Sequence, residues 1–140
     1  MKTIIIYSSH TGTTKGFASA IGDYLTENGV ETKVGSIDNY DREFLQSADL
    51  VLLGCWTSGL MIFAQHPDKP WKHFAQRMPA VNDKKVILFT TYKIATGSMF
   101  RRMESKLKGK IGRPQAILKS KDRELTGKHK VILDKFIGST

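Results

Sequence analysis

YSSHTGTTKGFA, residues 7–18, gathers five Ser and Thr hydroxyls around Gly12. The stretch joins two patterns of different period. Before it, Thr3, Ile4, Ile5, Ile6 and Tyr7 make a short apolar run rich in β-branched residues, which predicts a strand buried on both faces. After it, Phe17, Ile21, Tyr24 and Leu25 recur at helical spacing and stop at Asn28 and Gly29, a helix end with a C-terminal glycine. The stretch is therefore a strand-to-helix turn. Backbone N–H groups converge where a helix starts, and together with hydroxyl donors they make a socket for a phosphate. A helix cap without a ligand needs only one hydroxyl, so five favour the socket.

Strand-like and helix-like patterns alternate along the rest of the chain. Strand two is predicted over Glu31–Ile37, followed by a helical turn around Asp41–Gln46, and strand three over Leu50–Gly54. A helix carrying Trp71, Phe74 and Ala75 follows Pro70, a residue tolerated in a first helical turn. Strand four is Lys85–Thr91, helix four Ser98–Leu107, strand five Ala116–Lys119, and the closing helix Gly127–Ile137. Such alternation predicts an α/β fold with a doubly wound, five-stranded parallel sheet of order 2-1-3-4-5. With no repeat, low-complexity tract or linker, residues 1–140 read as one domain. The crevice of such a sheet lies at the carboxyl ends of strands one and three. The turns expected to line it are residues 8–14, 54–66 and 90–98. They bring Trp56, Met61, Phe63, Tyr92 and Met99 to the same opening, an apolar supply suited to an aromatic ring system.

Composition narrows the setting. No apolar run is long enough to cross a membrane, and strand one starts almost at Met1 with no signal-peptide pattern, so a cytoplasmic location is expected. Cys55 is the only cysteine, which excludes an internal disulfide and a multi-cysteine metal site. The net charge of +9 is unevenly spread: residues 1–70 carry 5 Lys/Arg against 8 Asp/Glu, and residues 71–140 carry 17 against 5. The basic half suits an acidic partner, whether protein, nucleic acid or membrane surface; a solvated lysine-rich face is the plainer reading.

Several ligand classes fail on residues. A nucleoside-triphosphate loop needs Gly-Lys-Ser/Thr, whereas the order here is Gly12, Thr13, Thr14, Lys15. A dinucleotide fingerprint needs three spaced glycines, and this turn has Gly12 and Gly16. A phospho-accepting receiver needs acidic residues where Ser8, Ser9, Gly54 and Cys55 stand. A phosphatase of the Cys-x5-Arg type would need an arginine at Met61. What remains is a socket for one phosphate monoester, built from neutral donors beside aromatic loops.

This resembles flavodoxin. Ile5, Ile6, Tyr7, Ser8, Ser9, His10, Thr11, Gly12, Thr13 and Thr14, then Ala18 and Ile21, match the family's phosphate-loop signature, and the strand pattern agrees from end to end. The resemblance implies flavin mononucleotide (FMN) as cofactor. Ser9, Thr11, Gly12, Thr13 and Thr14 would wrap its phosphate, and His10 either faces the pocket or is solvated. Gly54, Cys55, Trp56, Thr57, Ser58 and Gly59 are similar to the family's second loop, with the tryptophan displaced. Gly59 would be the peptide that turns next to the ring, and Trp56 either stacks on the flavin or anchors the loop in the core. In the third loop, which runs from Thr91 to Ser98 and includes Gly97, Tyr92 stands where the family supplies an aromatic, and Lys93 where acid is commoner. Tyr92 is either that stacking ring or an ordinary strand-end aromatic. Cys55 reads as packing.

The implied function is electron transfer with a redox partner protein. Family flavodoxins are acidic, whereas this chain is basic and would prefer an acidic docking face. Two alternatives stay open. One is an FMN-dependent enzyme of the same fold, such as a protoporphyrinogen or quinone oxidoreductase. The other is a domain that kept the fold, lost flavin and binds protein or nucleic acid. Residues 101–135 hold no Phe, Tyr or Trp, which disfavours nucleic acid.

Overall fold

A computed structural model describes residues 1–10, 12–57, 67–93 and 96–137. Five parallel strands form one sheet in the order β2-β1-β3-β4-β5. In chain order the elements are β1 (Lys2–Ser8), α1 (Thr13–Glu27), β2 (Glu31–Ser36), α2 (Arg42–Ser47), β3 (Leu50–Trp56), α3 (Lys69–Arg77), β4 (Lys85–Thr91), α4 (Met99–Lys106), β5 (Ala116–Ser120) and α5 (Gly127–Ile137). The fold class and strand order are those expected from the alternating patterns.

The apolar strands alternate between two cores. Ile4, Ile6, Val51, Leu53, Val86 and Leu88 meet α2, α3 and α4 through Phe44, Trp71, Phe74, Met99 and Met103. Ile5, Leu50, Leu52, Ile87 and Phe89 meet α1 and α5 through Phe17, Ile21, Leu25 and Leu133. Successive strand side chains point to opposite faces, so a central strand with helices on both sides has to be apolar throughout. At the far edge, α5 is seated on β5 by His129. Its Nε2–H donates to the Lys119 carbonyl at 2.8 Å, while Nδ1 accepts from the Thr126 N–H at 3.0 Å. Its ring meets Phe17 edge-on.

One boundary differs in a way that matters. The sequence pattern ends strand three at Gly54, but β3 continues to Trp56, with Cys55 and Trp56 paired to Thr90 and Thr91. Gly54 reads as a breaker, yet its lack of a side chain serves packing. A β-carbon there would lie 2.3 Å from the Phe89 ring, which fills the space. Three smaller differences, β1 reaching Ser8, β2 ending at Ser36 and β5 reaching Ser120, are of the size by which element ends usually scatter.

Aspartates cap the starts of α2 and α3. Asp41 accepts from the Phe44 N–H at 2.9 Å and pairs with Lys33 at 2.7 Å. The Lys33 hydrogen bond first, then the Phe44 N–H, hold its carboxyl below the ordinary value. Asp122 is held low by the Glu124 N–H and by Ser120. A carboxyl depressed by folding adds stability that is present above its unfolded pKa and lost as pH falls through its folded one. The urea midpoint is therefore expected to fall on acidification from about pH 5, with a flatter profile in the Asp41→Asn/Asp122→Asn double variant. Identical slopes would remove these two groups from the account.

Candidate functional site

The strand-to-helix turn has the geometry of an anion socket. Gly12, the residue before α1, has φ 91° and ψ −8°, a left-handed conformation that a residue with a β-carbon adopts at a cost. This bend brings the N–H groups of Gly12 and Lys15 onto one oxygen. Ser9 Oγ accepts from them at 3.0 and 3.4 Å. The acceptor position is thus defined inside the protein, at the positive end of a fifteen-residue helix.

Of the other residues singled out in the sequence, the structure separates those on the opening from those beneath it. Thr14 is buried, and its hydroxyl shares a 2.6 Å hydrogen bond with that of Thr91, tying the start of α1 to the end of β4. Thr57 continues this support: its N–H donates to the Thr91 carbonyl at 2.7 Å, and its hydroxyl meets that of Thr90 at 2.8 Å. Because Thr90 Oγ1 donates to the Cys55 carbonyl at 2.6 Å, the Thr57 hydroxyl is the donor to Thr90. Thr13 is half-buried in the first turn of α1. Tyr92 is half-buried at the top of β4, its N–H bonded to the Ser120 carbonyl at 3.1 Å. Gly97 has φ 49° in the turn that leads into α4. Thr11, Ser58 and Gly59, with Met61, Phe63 and His66, lie outside the described residues.

Trp56, the last residue of β3, and His10, in the turn after β1, come together. Their rings stack with centroids 4.9 Å apart and planes 26° from parallel. The indole Nε1–H donates to Asp68 Oδ2 at 2.8 Å. Asp68 was not among the residues singled out in the sequence, and it is a hub. Its Oδ1 accepts from the Trp71 N–H at 3.2 Å, capping α3, and the Ser8 hydroxyl lies 3.4 Å from both oxygens. The signal that could have found it is Asp68-Lys69-Pro70, an aspartate one residue before a helix with proline in its first turn. Cys55, buried on the same strand end, has its thiol pushed well above the ordinary value by desolvation, with the Asp68 charge adding to it. It stays a neutral packing group.

Ser9, His10, Gly12, Lys15, Asp38 and Asp68, among others, line a cleft of about 440 Å³. The donor set suits a phosphate monoester. The turn itself offers N–H and O–H groups without a carboxylate, and Lys15 stands beside it. The cleft also extends to Ser36–Asp38 beyond β2, a wall the sequence did not indicate.

Together, the sheet order and a hydroxyl-rich turn at its switch point define a doubly wound fold of the flavodoxin type. The flavodoxin domain profile matches residues 4–120, and the chain belongs to the flavodoxin family, a family of electron-transfer flavoproteins. A flavodoxin from Clostridium beijerinckii is 26% identical over 105 residues, covering 75% of each chain. Among solved structures, Flavodoxin 2 of Bacillus cereus superposes with a TM-score of 0.70 at 20% identity, covering 98% of this chain and 95% of its own. The two-electron reduced flavodoxin of Megasphaera elsdenii gives 0.67 at 20% identity, covering 90% and 89%. No helix among the described residues is long and apolar enough to cross a membrane.

Proposed function

We propose that this chain binds FMN and carries electrons between protein partners, the docking partner presenting an acidic face. The observation that carries the FMN reading is the left-handed Gly12 turn, whose amides converge on a single acceptor, the Ser9 hydroxyl oxygen, which a phosphate oxygen would displace or share. Ser9, Gly12 and Thr13, with Thr11 of the same motif, would hold the phosphate, while Thr14, Thr57 and Thr91 brace the turn from beneath. Trp56, Tyr92 and the Gly97 turn would border the flavin ring, with Ser58 and Gly59 assigned to it by family resemblance. Bound FMN supplies the redox chemistry; the chain's own work is to orient the ring and exclude water around it.

The partner reading rests on charge. Residues 99–135, which span α4, β5, most of α5 and the segments between them, carry 12 Lys/Arg against 4 Asp/Glu. The ion pairs among the described residues, Lys33–Asp41 and Arg77–Asp38, lie elsewhere, so these cations are not neutralised internally. The same stretch exposes the side chains of Ile117 and Val131 and contains an open recess of about 640 Å³ bordered by Arg101, Lys108 and Arg113. Apolar points within a charged field suit a protein surface of opposite sign.

The test is the protein as purified. A flavin absorbance band, with FMN as the mass released on denaturation, is the expected result, and a colourless protein that ignores added FMN would overturn the reading. Steady turnover of a quinone or porphyrinogen without a partner would replace the carrier by an FMN-dependent enzyme.

A further inference from the structure

We propose that Asp68 is a positioning residue of the cofactor site, holding the Trp56 indole, and through it His10, in one orientation before the ligand arrives. The inference rests on the FMN reading and deepens it. Capping α3 requires one carboxylate oxygen, and Oδ1 provides it to the Trp71 N–H. Oδ2 is spent differently, on the Trp56 N–H at 2.8 Å, a shorter and charge-assisted bond. Trp56 is the last residue of β3 and Asp68 immediately precedes α3, so one side chain joins the two elements across twelve positions of sequence. The Ser8 hydroxyl, from the end of β1, approaches the same carboxylate.

The consequence is a loss of freedom in the aromatic ring. An indole tied only at Cβ can flip about its outer torsion. Here the nitrogen edge is tied to Asp68, and one face lies on the His10 ring, which belongs to the phosphate turn. Asp68 and His10, the two groups that hold the indole, both line the 440 Å³ cleft. A side chain ordered in advance does not have to be ordered on binding, and affinity rises by that amount.

Asn and Ser cap helices about as well as Asp, but neither can give Trp56 an acceptor while keeping the cap. Asp68→Asn and Asp68→Ser are therefore expected to keep the α3 cap and fold, with a urea midpoint lowered only by the lost indole bond, and to bind FMN about tenfold more weakly. Trp56→Phe, which keeps a ring and deletes the N–H, should show a similar loss. The Asp68→Asn/Trp56→Phe double variant should lose about tenfold and not about a hundredfold, because the two singles break one interaction. In the FMN-free protein, the Trp56 indole proton should exchange faster in Asp68→Asn than in the native chain. Native FMN affinity in the Asp68 variants, multiplying losses in the double variant, or unchanged indole exchange would each overturn the positioning role while leaving FMN binding intact. A native chain that takes up no FMN would instead overturn the reading beneath it, and this inference with it.

Discussion

Riboflavin is expected to bind this chain about a hundredfold more weakly than FMN, the gap being the contribution of the phosphate. Hydrogen bonds from neutral donors to a charged group contribute about 1.5–3 kcal/mol each. The turn aims two amides, those of Gly12 and Lys15, at one acceptor position. Two such bonds at the lower end of that range give about 3 kcal/mol, or roughly a hundredfold. The lower end is the right one, because the Ser9 hydroxyl already satisfies both amides and a phosphate oxygen has to displace it or share them. Gly12→Ala should narrow the gap, since φ 91° is a strained angle for alanine and the turn would relax away from it. Titration by flavin fluorescence measures both ratios. Equal affinity for the two flavins would show that the ring alone is held and that the turn has another purpose.

Phe89→Ala is expected to destabilise the chain by about 3–5 kcal/mol, the usual cost of deleting a buried aromatic side chain. Phe89 is fully buried in β4, edge-on to Phe17 with centroids 6.0 Å apart, and its ring occupies the place where a residue 54 side chain would be. The hole has little means of closing. One wall is the Gly54 backbone, which the pairing of β3 with both β1 and β4 holds in place. The same geometry predicts a change of sign at residue 54. In the native chain Gly54→Ala forces three ring atoms 2.3–2.4 Å from the new carbon to move, overpacking that costs about 1–3 kcal/mol. In the Phe89→Ala background the added methyl enters the vacated space and should restore part of the loss. Urea midpoints at unchanged m-value read both effects. Additive losses would mean that ring and glycine do not share that space.

The electron-carrier reading then has two separable parts. The proposed cofactor socket is at the carboxyl ends of the strands, whereas the basic surface follows the β5 edge with α4 and α5 and reaches the amino ends near Lys108 and Arg113. Cofactor affinity and partner affinity should therefore respond to different substitutions and to salt in different ways, since exposed charges are screened and the turn's amides are not.

Local chemistry determined most of the architecture. β-branched runs without alternation can be stable only where both faces are covered, so strands with helices on both sides, and hence the parallel sheet, follow from residues such as Ile4, Ile5 and Ile6. The left-handed turn between β1 and α1 was equally legible, because a glycine among hydroxyls between a strand and a helix is a pattern carried by neighbours in the chain. Contacts between distant residues were not. Gly54 looks like the end of a strand until the Phe89 ring from β4 is seen to occupy its missing side chain. Thr14 looks like a ligand-facing hydroxyl until Thr91, 77 residues away, is found at 2.6 Å. Asp68 carries no motif beyond a helix cap, and its second oxygen acquires a purpose only because the sheet order sets the end of β3 beside the start of α3. Periodicity reports what each segment must bury; which side chains then meet across the crevice is decided by the packing of elements far apart in sequence.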